Sequence, residues 1–245
     1  MRPDYAIAAE TYDKYRSFSA DILTRYIDNF VDLANLRGGE RVLEGGSGTG
    51  RFAVPLSERF RVTALDTSLE MIQKGRAKSR KVKWVQGDVA RLPFKPKHFD
   101  AALLAYMIHQ VNDYQSVIEE MGRISPKCVI ITTDMIHRLP TLLDRAFPGV
   151  IQADRERFPP VEELEGACIL AGFEHVRARR ILIEERLSKG DYMNKITHRY
   201  LSTFDLIPQA EFDVGVRVMD KLLAEIPGNE LVNRIQATFV SASNL

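Results

Sequence analysis

The chain, 245 residues long, reads as an α/β protein on a doubly wound, mostly parallel sheet. Three observations carry that expectation. Short apolar runs at 41–44, 61–65, 82–86, 99–104 and 127–133 alternate with helical stretches at 51–59, 69–79 and 113–124, the rhythm of βαβ units. The first run ends in a carboxylate and a glycine-rich turn, Glu44-Gly45-Gly46-Ser47-Gly48-Thr49-Gly50, which opens the first helical stretch. The next two runs end at or just before acids, Asp66 and Asp88, and the C-terminal strand ends of an open parallel sheet line its ligand crevice.

Taken in order, residues 4 to 35 place Tyr5, Tyr12, Tyr15, Phe18, Ile22, Leu23, Tyr26, Ile27, Phe30, Val31 and Leu33 at helical spacing, broken near Ser17-Phe18-Ser19. One or two helices packed on the sheet are expected there. The glycine turn fails the dinucleotide fingerprint G-x-G-x-x-G, because Arg51 stands where a third small residue is needed. What remains is acid-x-G-x-G-x-G beginning at Glu44. Lys74, Arg76, Lys78, Arg80, Lys81 and Lys83 form a basic cluster with no interleaved stacking platform, which reads as a solvated helix end. Beyond the fifth run, 139–158 reads as an irregular helical excursion ending in Pro159-Pro160, and 161–173 as a helix with a Pro start and a Gly stop. A strand over 176–184, helices within 192–223 and a last β-like run over 234–240 complete the pattern.

With 45% hydrophobic residues the chain has ample material for one continuous core. Lys and Arg number 34 against 33 Asp and Glu, so the broad positive field of a nucleic-acid binder is missing and no nucleic acid partner is expected. Cys128 and Cys168 fall in an apolar strand and an apolar helix, as buried inert thiols do. No apolar run is long enough to span a membrane, and Met1-Arg2-Pro3-Asp4 opens no signal-peptide core, so a cytoplasmic location is expected.

The acid-glycine turn, the strand-end acids Asp66 and Asp88 and the run Phe99-Asp100-Ala101-Ala102-Leu103-Leu104-Ala105 stand in order and at matching spacing. Together they resemble the class I S-adenosylmethionine-dependent methyltransferases, particularly the small-molecule branch typified by ubiquinone/menaquinone-biosynthesis methyltransferases. The resemblance covers roughly residues 10 to 135 by motif and continues weakly to the C-terminus. It implies a Rossmann-like sheet of seven strands with an antiparallel last strand and a helical lid. The implied layout is one domain over 1–245: a helical cover (1–35), a core (36–186), a helical insertion (187–228) and the last strand (229–245). Monomer and homodimer are both compatible with it.

The resemblance also implies S-adenosyl-L-methionine as cofactor, with a role for each motif residue. Asp66 matches the acid that accepts from the ribose diol, although Asp66 or Thr67 could instead cap the following helix. Asp88 matches the adenine-edge acid, with the Val89 N–H beside it and Met71 against the adenine face. Gly45, Gly46 and Gly48 line the cofactor, Gly46 and Gly48 admitting close backbone approach, Glu44 and the Ala105 carbonyl face the ammonium, and Arg51 suits the carboxylate. The segment Ala9-Glu10-Thr11-Tyr12-Asp13-Lys14-Tyr15-Arg16 resembles an element that folds over the methionine end, through Tyr15. Gly45 departs from a usual apolar residue and Ser47 from a frequent Cys. Ser125-Pro126-Lys127-Cys128 replaces a usual Gly-Gly turn.

On the acceptor side, Ala105-Tyr106-Met107-Ile108-His109-Gln110 is not the Asn/Asp-Pro-Pro-aromatic motif of amino-methylating nucleic-acid enzymes. His109 stands near the expected methyl position, where an imidazole takes a proton, orients the acceptor or merely packs. Asp134 alone makes no metal site. The expected activity is methyl transfer to a small molecule at oxygen, nitrogen or carbon. RNA or protein methylation is one alternative, and a cofactor-binding regulatory protein without catalysis is another.

Overall fold

The computed structural model describes residues 13–244. The readings that fall on Tyr5, Tyr12 and the part of 9–16 before Asp13 lie outside the described residues. Residues 13–16 are helical and 17–19 are not, which is where the aromatic spacing breaks. Helix α1 (Ala20–Leu33) then starts on Ser19, whose side chain accepts from the Ile22 N–H, and buries Ile22, Tyr26, Phe30 and Leu33 on one face.

The strands are β1 (Arg41–Gly45), β2 (Arg61–Asp66), β3 (Lys83–Gln86), β4 (Ala101–Ala105), β5 (Lys127–Thr132), β6 (His175–Ser188) and β7 (Glu230–Ser243). They form one seven-stranded sheet in the order β3-β2-β1-β4-β5-β7-β6. The first five run parallel, while β7 is antiparallel to both β5 and β6. The strand order reverses between β1 and β4, and that switch point opens a crevice at the strands' C-terminal ends.

Helices α2 (Ala53–Leu56), α3 (Leu69–Lys78) and α4 (Tyr114–Ile124) connect the parallel strands. They are followed by α5 (Leu142–Ala146), α6 (Pro148–Arg157), α7 (Val161–Leu170), α8 (Lys189–Thr197) and α9 (Gln209–Glu225). Successive strand residues feed opposite layers: Val42 packs with Tyr26, Phe30 and Phe52 on one face, Leu43 with Ile118, Met121 and Leu164 on the other. A third apolar cluster, with Phe147, Phe204, Phe212 and Met219, joins α5 and α6 to α8 and α9. Among the described residues, no helix is long and apolar enough to cross a membrane.

Three boundaries differ from the sequence expectation. The helix expected over 51–59 is α-helical only over Ala53–Leu56, and tighter bonds such as Glu58 N–H to the Pro55 carbonyl finish the segment. The two C-terminal strands are longer than 176–184 and 234–240. They pair with each other over 14 residues each, while β5 reaches only 238–243 of β7. The distal half of this hairpin runs past the sheet, so residues such as Asn233 and Arg234 interrupt the apolar pattern there.

Candidate cofactor cleft and acceptor cavity

The switch point opens into a cleft of about 1090 Å³. The glycine turn forms one wall. Gly46, Gly48 and Gly50 have φ of 67°, 54° and 83°, in the left-handed region that glycine adopts without strain. A Cβ on Gly46 would meet the Met107 side chain at 2.8 Å, whereas one on Gly48 would have nothing within 4 Å. The Gly48 backbone is therefore open to a ligand.

Glu44 ends β1 at 2% exposure, and its Oε2 is buried without a hydrogen-bond partner. Burial pushes its carboxyl up to about 8, against the opposing pull of the Ala53 N–H and the Arg51 guanidinium. A buried acceptor left open at a ligand cleft fits a cationic group such as an ammonium. On β2, Asp66 accepts from the Gly48 N–H at 2.7 Å and the Ser68 N–H at 2.9 Å, which ties the glycine turn to the second strand. The cap of α3 is Ser68, whose Oγ accepts from the Met71 N–H at 3.2 Å, not Asp66 or Thr67. Asp66 and Thr67 are thereby left on the cleft wall, with Met71 beside them.

Asp88 and Val89 line the same cleft after β3, and Ala105 lines it at the end of β4. The chain thus brings Glu44, Gly46, Gly48, Arg51, Asp66, Thr67, Met71, Asp88, Val89, Ala105 and His109 to one cavity from four separate segments. Two residues of the expected set are elsewhere. Gly45 lies beneath the wall, where a Cβ would come within 2.9 Å of Leu104 and 3.0 Å of Val89, so its smallness serves packing. Tyr15 stacks on His198 at 3.9 Å and lines an adjoining cavity instead. Its neighbour Asp13 contacts the cleft wall indirectly, accepting from Thr49 Oγ1 at 2.6 Å and pairing with Lys78 at 2.6 Å.

The adjoining cavity, about 290 Å³, lies between the sheet end and the helices of the third cluster. Aromatic and aliphatic side chains (Phe18, Ile151, Tyr192, Tyr200, Leu201, Ile235) share its lining with charged ones. Most of those charges have partners: Lys195 with Glu185 at 3.3 Å, Arg234 with Glu184 at 3.3 Å, and Arg138 with Asp144. Asp154 sits at its wall, and burial raises its carboxyl despite the Thr203 hydroxyl and Arg157 beside it. Arg51, Tyr106, His109, Gln110 and Phe158 line both cavities and so frame the neck between them.

The neck is built with unusual constraint. Tyr106 adopts φ 53°, a region a bulky residue rarely occupies, and its hydroxyl shares a 2.6 Å hydrogen bond with Tyr26. The Arg51 guanidinium lies 4.6 Å from the Phe18 ring centroid, donates from Nη1 to the Arg16 carbonyl at 2.8 Å, and keeps a buried Nε without partner. His109 stacks on Phe158 with centroids 4.0 Å apart, and its Nδ1 is buried and unpartnered. Burial, assisted by Arg157, lowers the imidazole to about 3, so the ring is neutral at physiological pH.

Sequence reasoning did not single out Tyr106, Gln110, Phe158 or Asp154 for a site. Tyr106 had a signal, since it directly follows a buried strand at the switch point; Phe158 and Asp154 had none. Asp134 is 5% exposed and is engaged by Arg180 at 2.6 Å and His137 at 3.0 Å. Among the described residues no group of three or more His, Cys, Asp or Glu could hold a metal. Cys128 and Cys168 are free and buried.

Residues 43–132 match the family model described as a methyltransferase domain, and the fold and cleft are similar to those of the class I S-adenosylmethionine-dependent methyltransferases. The likeness is to the ubiquinone/menaquinone group within that class. The chain is 25% identical over 205 residues to the ubiquinone/menaquinone biosynthesis C-methyltransferase UbiE of Pseudomonas paraeruginosa, covering 70% of this chain and 80% of that protein. It is 30% identical over 109 residues to the demethylmenaquinone methyltransferase of Renibacterium salmoninarum, spanning 44% of this chain but only 46% of that relative. Among solved structures, an Anabaena variabilis protein described as a methyltransferase of an antibiotic biosynthesis pathway shares the fold. Its TM-score is 0.79 at 22% identity, over 90% of this chain and 97% of that one. A Haemonchus contortus phosphoethanolamine N-methyltransferase, solved with S-adenosyl-L-methionine, has TM-score 0.62 at 16% identity, over 97% of this chain and 57% of that one.

Proposed function

We propose that the chain transfers a methyl group from S-adenosylmethionine to a small, partly apolar acceptor held in the second cavity. The observation that carries this reading is the shared neck: five residues line both cavities, so two ligands can meet there and nowhere deeper in either. In this reading Glu44 and the Ala105 carbonyl hold the ammonium, Arg51 the carboxylate, Asp66 the ribose diol, and Asp88 with the Val89 N–H the adenine edge. The cofactor, when bound, supplies an electrophilic sulfonium methyl. Tyr106, Phe158 and the neutral His109 orient the acceptor at the neck as the new bond to methyl forms, and the acceptor's proton leaves to solvent.

The whole of 1–245 acts as one domain in this proposal, with α8 and α9 roofing the acceptor cavity. The relatives' names point to quinone-pathway acceptors, and the aromatic lining (Phe18, Tyr192, Tyr200) suits a ring of that kind, methylated at carbon. RNA or protein as acceptor is disfavoured by the modest, walled second cavity and the balanced charge, which offer no track for a polymer. A non-catalytic regulatory role would not need a second cavity that meets the cofactor cleft at a shared neck. Incubation with methyl-labelled cofactor and either a metabolite extract, reduced quinones or total RNA tests the reading. Label in a small molecule is the expected result; label only in RNA, or none with any acceptor, refutes it.

A further inference from the structure

Strand β6 ends the sheet, and its inner side is taken by β7 through an unbroken register from His175↔Ser243 to Ser188↔Glu230. Among the described residues no strand pairs with its outer side. Exposed edges of this length are normally blunted by proline, a bulge, brevity or charged side chains, because a row of open N–H and C=O groups templates another strand. This edge is 14 residues long, contains no proline and skips no residue in its register.

Its side chains are complementary to themselves. When the strand is laid antiparallel against a copy about Leu182, Leu182 faces Leu182, and Arg180 faces Glu184 twice by symmetry, all on one face. On the other face Ile181 meets Ile183, while Arg179 and Glu185, though opposite one another, are held within the chain by Asp32 at 2.7 Å and Lys195 at 3.3 Å and add nothing to the match. Nearby registers lose this match. Centring on Ile183 sets Arg180 against Arg186, centring on Glu184 sets that carboxylate against itself, and centring on Arg180 does the same with a cation.

The face carrying Leu182 is also prepared for contact. Leu182 is 47% exposed, and Ile136 and Leu139, 63% and 51% exposed, lie beside it. Leu139 exchanges two backbone hydrogen bonds with the side chain of Gln236, the residue paired with Leu182, and Ile136 donates to Asp134, which holds Arg180. Arg180 and Glu184 remain 47% and 55% exposed although Asp134 and Arg234 orient them.

We propose that β6 is a homodimer interface, pairing antiparallel with β6 of a second copy about a two-fold axis at Leu182 and joining two sheets into one. The second copy is favoured over any other strand donor because the charge order of β6 complements itself. The proposal stands apart from methyl transfer, and its failure would leave that reading untouched.

Sedimentation equilibrium of the full chain tests it, with circular dichroism to confirm folding of each variant. Wild type is expected as a dimer. Glu184→Lys, which sets Lys against Arg180 at both ends of the axis, is expected to weaken the dimer at least about tenfold. Leu182→Cys is expected to form an intermolecular disulfide under mild oxidation, since facing Cβ atoms lie about 4.5–5.5 Å apart in such a pair. Val232→Cys, equally exposed but on β7, is expected to stay uncrosslinked, and the two native thiols are buried. A monomeric wild type, a dimer indifferent to Glu184→Lys, or a Leu182→Cys chain that does not crosslink overturns the proposal; in those cases the edge charges serve to keep copies apart.

Discussion

Replacing Glu44 by Gln tests how the cleft receives its cofactor. The free protein holds this carboxyl at about 8 because it is buried, so at pH 6 to 7 it is mostly protonated. An ammonium bound against it favours the carboxylate, and binding then releases a proton. The fraction ready to bind falls by a factor of 1 + 10^(8 − pH), about 100 at pH 6 and about 11 at pH 7, so affinity is expected to rise roughly tenfold over that one unit. The cofactor's own amine stays charged in this range, its ordinary pKa being about 7.7–8.0. Titration calorimetry in buffers of different ionisation enthalpy is expected to show release of nearly one proton from wild type and none from Glu44→Gln, with affinity weaker and flat in pH for the variant. Stability of the free protein carries the opposite sign. A carboxyl raised from 4.5 contributes fully below pH 4.5 and loses its contribution as pH climbs to about 8, roughly 5 kcal/mol in all, so Glu44→Gln is expected to outlast wild type at pH 8. Wild-type affinity that is flat from pH 6 to 7, or a pH dependence retained in the variant, refutes the reasoning.

Asp66→Ala removes the acceptor of two backbone N–H groups as well as the expected ribose ligand. Cofactor affinity is expected to fall by about 1.5–3 kcal/mol and unfolding stability by about 1–3 kcal/mol; unchanged affinity in calorimetry would reduce Asp66 to a structural tie. His109→Gln is expected to leave cofactor affinity intact and lower turnover roughly 10²-fold through a misplaced acceptor, and turnover within a few-fold of wild type removes the imidazole from acceptor positioning. Gly75→Ala places a Cβ 2.2 Å from the Trp84 ring. Overpacking of about 1–3 kcal/mol outweighs the roughly 1 kcal/mol gained in helix propensity, so denaturant unfolding is expected to show a less stable chain. Hydrogen exchange across 189–225 is expected to slow when cofactor and acceptor are both present, and an unaltered rate would make α8 and α9 plain core.

What the sequence determined by itself is local and periodic. The alternation of apolar runs and amphipathic stretches specified the parallel half of the sheet, because burial on both faces demands continuous apolar strands and each crossover demands a helix. The turn from Glu44 to Gly50 and the acids closing the next two strands were legible because glycine and strand-end carboxylates mark positions one short segment can define. Tertiary structure decided the rest. The second cavity draws Phe18, Tyr106, Ile151, Tyr200 and Ile235 from segments remote in sequence, and no window of the chain contains their proximity. Gly45 and Tyr15 carry the same signal as their neighbours, yet packing turns one beneath the wall and the other toward the second cavity. The extra length of β6 and β7 was hidden for a related reason: past the sheet only one face of the hairpin is covered, so backbone pairing continues after the apolar pattern has stopped.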